Sequence, residues 1–425
     1  MKKVFFILLA FGCFSLFGTI AFVVNSSSQT LSKIDFETGQ INNAFSPVGL
    51  YANRVGVTND FVYVVNSGDN SVQKIDVETG QTMTNIFIES SSNPYDIIIF
   101  QNYAFVTGLF TSKVYKINLD TDIVEDEINV GISPEGMAIY ENKLYVANTG
   151  YQYPSYEQGT VSVVNLDLFE VEKTIEVGLN PQALTVYNDE IHVVCTGNYY
   201  DVFGEVFIID SFIDEVSASL EIGGCPTNIT ASPEGIVYLG DGMGAGVYSY
   251  DASTLEILHS PQNLFSSGGS AIAINENIIA VTDAGNWASN SIVRVYDLDE
   301  ELINEYTTGI GAVDIKFFDE NVNAQEDEIF LNSVILGDNY PNPFNPTTTI
   351  FCTANDAKNA KIEIYNLKGQ KIKTFPINTS THTPVNSIIW DGTDDSENSV
   401  SSGLYFYKFN VNGKTEAVKK CLLLK

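Results

Sequence analysis

A repeat of 40 to 47 residues runs through most of the chain and constrains its fold more than any other feature. Five segments open on proline followed by an apolar stretch: Pro47-Val-Gly-Leu, Pro94-Tyr-Asp-Ile, Pro134-Glu-Gly-Met, Pro181-Gln-Ala-Leu and Pro226-Thr-Asn-Ile. Gly269 and Gly311 open two more in the same register, and the intervals are 47, 40, 47, 45, 43 and 42 residues. A unit of that length cannot bury its apolar face alone and must stack on copies of itself; it is the size of a four-stranded propeller blade. Four strand-like runs, A to D, recur in each unit. A follows the proline. B is rich in Tyr and Val, as in Phe61-Val-Tyr-Val-Val-Asn66 and Leu144-Tyr-Val-Ala-Asn148. C alternates apolar and polar side chains, as in Ser71-Val-Gln-Lys-Ile-Asp76, and a turn such as Glu78-Thr79-Gly80 leads to D. Period-two alternation over four to eight residues, bounded by Gly, Asn, Asp and Pro, is the pattern of half-buried antiparallel strands.

The ends of the repeat set the strand count. Phe22 to Gly39 copies runs B and C of the next unit, so the first unit lacks an A, whereas Gly311 to Phe318 is an A run without a unit of its own. Seven of each strand follow. The expectation is an all-β chain: a seven-bladed β-propeller, closed by pairing of its N- and C-terminal strands so that no sheet edge stays open, plus a C-terminal immunoglobulin-like β-sandwich. The strand-B run and the Lys-Ile-Asp-x-x-Thr-Gly turn (Lys74 to Gly80) resemble the YVTN family of propeller repeats, from Phe22 to about Phe318. That resemblance implies architecture and leaves function open.

Residues 1–21 read as a signal peptide. Lys2 and Lys3 precede an apolar run, Val4 to Phe17, too short for a comfortable membrane span, with cleavage after Gly18 or after Ala21. Lipidation at Cys13 fits poorly, because apolar residues follow it. Residues 22–319 are the propeller, and the polar, acidic stretch 320–335 is a linker. Residues 336–425 form a tail with strand-like runs at Lys361–Tyr365, Gln370–Phe375, Ser387–Trp390, Gly403–Phe409 and Val418–Leu424. Between Asn339 and Ile350 three prolines and intervening Asn residues predict a stiff, largely irregular segment, with Phe344 plugging the sandwich edge.

Taken as a set, Asn339, Tyr340, Pro341, Asn342, Pro343, Phe344, Asn345 and Pro346, then Trp390-Asp391-Gly392, Ser402 to Tyr407 and Lys420 to Lys425, resemble the type A sorting domain of the type IX secretion system, related to the C-terminal module of flagellar hook-capping proteins. Asp395-Ser-Glu-Asn398 lacks that family's usual glycine, and Cys421 replaces a common methionine. The resemblance implies the type IX secretion machinery as a partner and a secreted or cell-surface location. An accessory sandwich without a sorting role is the plainer alternative.

Charge narrows the partners. The chain carries 21 basic and 53 acidic side chains, net −32, yet residues 336–425 hold ten lysines against eight carboxylates. The excess negative charge therefore lies in the repeat region, which would repel a phosphate backbone and excludes nucleic-acid binding. No transmembrane segment is expected in the mature chain. Outside the leader, Cys195, Cys225, Cys352 and Cys421 match no metal framework and read as small buried residues; Cys352 and Cys421, near the two ends of the tail, could pair.

Catalytic signals are sparse. The three histidines form no ligand pair, and His192, inside a strand, reads as a packed core residue. The run Gly240 to Gly246 sits in a B–C turn and opens no helix. No cofactor is expected, and no metal is assigned; Ca²⁺ at Asp391 to Asp395 is an alternative to a solvated turn. The constellation that stands out is aromatic. In a four-stranded antiparallel blade the B–C and D–A loops share one rim, and the B–C loops carry Phe110, Tyr151, Tyr153, Tyr156, Tyr199, Tyr200, Phe203 and Trp287. These are candidate ligand-binding residues, set against the simpler reading that the rings pack loops on one another. The sequence thus leans away from an enzyme, towards a binding module for an extracellular glycan or protein. A propeller enzyme of lyase, lactonase or quinone-dependent dehydrogenase type, with a site at the central channel, and a structural surface-layer protein are the alternatives.

Overall fold

The computed structural model describes residues 19–243, 245–319, 335–353, 360–377, 385–396, 398–411 and 414–424. The chain divides into two compact units, Met1–Asn321 and Val322–Lys425. The linker assigned to 320–335 lies, up to 334, outside the described residues, as does the leader up to Gly18.

In the first unit the described residues form seven four-stranded antiparallel sheets, a small hairpin and one 3-10 turn, with no α-helix. Six sheets run A-B-C-D in chain order, their A strands being Ala52–Val57, Pro94–Phe100, Pro134–Tyr140, Pro181–Tyr187, Pro226–Ala231 and Ala271–Ile274. The remaining sheet, counted first, combines Thr19–Asn25, Thr30–Asp35 and Gln40–Pro47 with Ala312–Asp319 from the other end of the unit. That last strand is antiparallel to Thr19–Asn25, with Ile20 opposite Phe318 and Phe22 opposite Lys316. Each A strand packs beside the A strand of the next sheet, and Ala271–Ile274 packs in turn on Ala312–Asp319, which packs on Ala52–Val57.

Burial follows the strand order. Residues of B and C, such as Val62, Val64, Val72 and Ile75, are fully buried between neighbouring sheets, while D strands such as Glu170–Glu176 are mostly exposed, as an outer edge, with Ile175 buried. The recurring acidic or amide residue that ends C forms the C–D turn. Its side-chain oxygen accepts the backbone N–H groups two and three residues on: Asp76 from Glu78 (3.2 Å) and Thr79 (2.8 Å), Asn118 from Asp120 (2.9 Å) and Thr121 (3.1 Å), Asp251 from Ser253 and Thr254 (both 2.9 Å). This Asx turn explains the repeated motif. The C-strand lysine reaches the next sheet instead of solvent: Lys74 Nζ lies 2.8 Å from Asp122 and 4.3 Å from the centre of the Phe61 ring.

One register expectation is corrected. Pro47 does not begin an A strand; it ends the D strand Gln40–Pro47, and the residue equivalent to Pro94 and Pro134 is Ala52. The first interval thus becomes 42 residues, from Ala52 to Pro94. His192 is packed as expected, fully buried with Nδ1 2.6 Å from the Tyr250 hydroxyl, and burial pulls its pKa down to about 4. Of the described cysteines, Cys195, Cys352 and Cys421 are buried, Cys225 is half-buried, and all four are free; Cys352 and Cys421 share one core without being joined.

The second unit is a sandwich of a three-stranded sheet (Ile335–Tyr340, Thr348–Thr353, Val385–Trp390) and a four-stranded sheet (Lys371–Pro376, Lys361–Asn366, Gly403–Val411, Lys414–Leu423). Ile362, Ile364, Trp390, Tyr407 and Phe409 fill its core. The Asn339–Ile350 segment is less irregular than its prolines suggest, because both ends belong to strands. Between them Phe344 is 1% exposed and packs on Trp390 with ring centres 5.3 Å apart. Its N–H donates to Leu422 O, and the Leu424 N–H donates to Phe344 O, both at 2.9 Å. Asn339 is buried and its amide donates to Thr348 Oγ1 (2.9 Å), while the Asn342 side-chain oxygen accepts Leu422 N–H (3.0 Å). Pro341, Pro343, Asn345 and Pro346 are exposed. The motif therefore hooks the turn onto the final strand.

Candidate functional site at the B–C rim

The B–C turns and D–A links of the first unit are tied to each other, as alternating antiparallel strands require. Gly68 N–H donates to Leu50 O (2.9 Å), Asn93 N–H to Asn70 Oδ1 (3.0 Å), and Ser133 Oγ to Tyr151 O (3.0 Å). On this rim Phe110, in the third sheet's B–C turn, is 69% exposed. In the fourth sheet, Tyr151–Gln152 and Ser155–Tyr156 form a short hairpin whose two tyrosine rings pack 5.0 Å apart, with Tyr153 88% exposed at its tip. In the fifth, Tyr200 and Phe203 are exposed, while the Tyr199 hydroxyl accepts from Gln182 Nε2 (3.1 Å). Trp287, in the seventh, is half-exposed and lies over Gly311, where a Cβ would meet its ring. The structure thus brings Phe110, Tyr151, Tyr153, Tyr156, Tyr199, Tyr200 and Phe203 onto three consecutive sheets. Trp287 stands apart from that arc.

Inward of the arc, the A strands carry a polar cluster that the sequence reading missed. Arg54 Nη1 donates to Val313 O (3.3 Å), its Nε is 3.9 Å from Asp96, and its guanidinium lies 5.4 Å from the centre of the Tyr95 ring. Asp314 accepts Val55 N–H (2.8 Å) and Asp96 accepts Met137 N–H (2.9 Å), so carboxylates of one sheet bind the backbone of the next. Arg54 and Tyr95 both favour the ionised form of the Glu135 carboxyl. Its Oε2 is sealed from solvent with no hydrogen-bond partner among the described residues. Burial pushes the Glu135 carboxyl up to about 8, against the pull of Arg54. Burial likewise pushes Tyr156 up to about 12 and raises Tyr199, both of which feel the charge of Glu135. An alignment of the A strands could have found this cluster. Arg54, Asp96 and Asp314 occupy the third position, and Tyr95, Glu135 and Gln182 the second, of strands whose other residues are largely apolar.

The arc and this polar cluster meet at an open depression of about 530 Å³ between the second and third sheets, walled by Tyr51, Tyr95 and Phe110. Elsewhere, the glycine-rich run opens onto the strand Val247–Asp251 and not onto a helix. Of the carboxylates at 391–395, Asp391 and Asp394 cap local turns, accepting from Thr393 Oγ1 (2.6 Å) and Ser396 N–H (2.9 Å), and Asp395 accepts Thr374 N–H (2.9 Å) from the strand Lys371–Pro376. Among the described residues no group of three His, Cys, Asp or Glu side chains is arranged to hold a metal ion, and no helix is long and apolar enough to cross a membrane.

Comparison with known proteins agrees with the two-part architecture. No curated protein matches the chain. Among solved structures, hydrazine synthase from Kuenenia stuttgartiensis is similar over 64% of this chain and 96% of that one, at 14% identity and a TM-score of 0.52. A chain of a nidogen/laminin complex is similar over 58% and 95%, at 13% identity and a TM-score of 0.43. The first likeness supports a β-propeller-like fold for the sheet-rich unit and says nothing of its activity. Residues 345–417 match the model of the FlgD Ig-like domain, so the second unit contains a domain of that kind.

Proposed function

We propose that the first unit is a seven-bladed, YVTN-type β-propeller closed by Ala312–Asp319 docking beside Thr19–Asn25, and that it works as a non-catalytic binding module. Its ligand, an extracellular glycan or protein, lies across the B–C rim. The observation that carries this reading is exposure. Phe110, Tyr153, Tyr200, Phe203 and Trp287 are each more than half exposed, although burying rings of this size would stabilise the fold. Tyr199 and Trp287 also hold left-handed backbone, φ 62° and 61°, which bulky side chains rarely adopt. The test is a glycan and protein array probed with the full chain and with Phe110→Ala, Tyr200→Ala and Trp287→Ala variants. Loss of retention at unchanged melting temperature supports the proposal; retention by every variant refutes it.

Export through a signal peptide and a type IX sorting tail accompanies this reading, placing the protein outside the outer membrane. Thr19, Ile20 and Ala21 are buried within the first sheet, which favours cleavage after Gly18 over cleavage after Ala21. N-terminal sequencing of exported protein should begin at Thr19, and removal of residues 336–425 should leave the protein inside the cell.

A second reading rests on Glu135. A carboxyl held protonated near neutral pH beside Tyr95 and Arg54 is suited to donating a proton. An enzyme of that kind would lose turnover in Glu135→Gln while the Trp287→Ala variant kept it.

A further inference from the structure

We propose that the cavity between the second and third sheets is a subsite for a short neutral oligosaccharide. The inference rests on the reading of the rim as a binding surface and specifies its ligand class. The cavity is an open depression of about 530 Å³, its Tyr51 and Phe110 walls 73% and 69% exposed, and its volume matches that of small-ligand sites. Its three aromatic walls come from three different segments: Tyr51 from the link into the second sheet, Tyr95 from the third A strand, and Phe110 from the third B–C turn. No lining residue carries a charge. Arg54, next in sequence to the lining Asn53, is tied instead to Val313 O and Asp96.

The lining also offers amides and hydroxyls. Asn53 gives its amide N–H to Ser67 Oγ (2.6 Å), and Asn70 Oδ1 receives Asn93 N–H (3.0 Å). Among the described residues the side chains of Ser91 and Asn93 and the amide nitrogen of Asn70 have no hydrogen-bond partner, yet all three residues line the cavity. Aromatic faces that stack on the C–H faces of a sugar, beside uncharged donors and acceptors for its hydroxyls, form a saccharide-binding surface. The strong negative charge of the chain, net −32, disfavours sugars bearing carboxylate or sulfate.

Tyr51 gives an independent reason to look here. The residue before the A strand is left-handed at several sheets: Asn93 (φ 45°), Ser133 (φ 52°), Asn180 (φ 58°) and Gly311 (φ 74°), all small or polar types that tolerate this region. At the second sheet the same place is held by Tyr51, with φ 50° and 73% exposure. Neither backbone preference nor burial favours a tyrosine at that position. A ligand stacked on its ring would.

The test is isothermal titration calorimetry of the full chain against neutral trisaccharides of glucose, mannose, galactose and N-acetylglucosamine, a trigalacturonate, and an uncharged tripeptide. At least one neutral trisaccharide should bind, and the trigalacturonate and tripeptide should not. Phe110→Ala and Tyr51→Gly should each weaken binding about tenfold, the scale of one lost stacking partner. Tyr51→Gly should not lower the melting temperature, because glycine is at ease at φ 50°, so its loss of binding cannot be ascribed to misfolding. Unchanged affinity in both variants, binding of the charged sugar or peptide in preference, or failure of every neutral sugar overturns the proposal. Loss of binding in Trp287→Ala with both cavity variants intact would refute the cavity and leave the rim reading standing. A ligand whose affinity no rim variant alters would sink both.

Discussion

The two rims of the first unit are built from the same seven sheets and differ in almost everything else. On the C–D rim one solution recurs: an Asp or Asn ends strand C and its side-chain oxygen caps the following turn, and at two sheet boundaries a lysine or tyrosine also reaches an aspartate of the next sheet. Asp214 shows the extreme form. It is 9% exposed and receives Lys143 Nζ at 2.7 Å and the Tyr145 hydroxyl at 2.7 Å across the sheet boundary. On the B–C rim the turns of the first three sheets share a four-residue length and a left-handed last residue (Gln29, Asn70, Ser112), and later turns depart from that form. Among the later ones are a hairpin at Tyr151–Tyr156 and the exposed loop around Tyr200. Repetition marks the rim that holds sheets together. Variation, with large apolar rings left in water, marks the rim free to acquire a ligand.

The largest effect expected from that contrast is on stability and comes from the uniform rim. Asp214→Ala removes the carboxylate partner of a half-buried ammonium, which keeps only Ser211 O, and the acceptor of the buried Tyr145 hydroxyl, a change that costs about 3 kcal/mol. Thermal unfolding should begin about 5 to 10 °C earlier, with ligand affinity untouched. On the other rim the effects should be reversed. Phe110→Ala should leave the melting temperature within about 2 °C while weakening ligand retention about tenfold. A stability loss at Phe110 as large as that at Asp214 would erase the distinction between the rims.

Acid–base behaviour sharpens the comparison where the rim meets the polar cluster of the A strands. The folded-state pKa of Glu135, about 8, lies above the ordinary carboxyl value of 4.5, so the native state holds a proton that the unfolded chain releases earlier. Its contribution to stability is complete below about pH 4.5 and is lost as pH rises through about 8. Melting curves from pH 5 to 9 should therefore decline in the wild type and flatten in Glu135→Gln. Parallel curves would mean that Glu135 is ionised and differently paired. The smallest effect belongs to Tyr51→Gly, for which relief of left-handed strain should raise the melting temperature by about 1 °C or leave it unchanged.

Much of the architecture was legible because repetition amplifies weak signals. One strand with the pattern of Ser71–Asp76 is ambiguous; several at regular spacing, ended by the same Asx turn, are not. The register of the first A strand failed for a local reason. Pro47 precedes an apolar stretch as the strand-opening prolines of other units do, but it closes a D strand, and Ala52 occupies the strand-start position. The strands that open the tail, Ile335–Tyr340 and Thr348–Thr353, were obscured by the prolines between them. Proline breaks a strand only where its missing N–H would be needed, and these prolines lie in the intervening turn.

The site was legible in part. Exposed rings in variable turns announce themselves, as Phe110, Tyr153 and Tyr200 did. Tyr51, Tyr95 and Glu135 did not, because each sits in or next to an A strand, where a tyrosine or a lone carboxylate reads as ordinary packing. Only the strand pairing shows that Tyr95 borders a cavity, and that Glu135 keeps one oxygen away from both water and partners. Trp287 joined the sequence-level set through its residue type, but the sheet order places it outside the arc formed by the other rings.

The assignment of cohesion to one rim and binding to the other is tested most directly by one array measurement. The full chain and a Phe110→Ala/Tyr200→Ala/Trp287→Ala triple variant would be screened side by side against glycans and extracellular proteins, each with its melting temperature recorded. The account predicts at least one ligand retained by the wild type and lost by the triple variant at matched melting temperature. Retention of every wild-type ligand by the triple variant would contradict it.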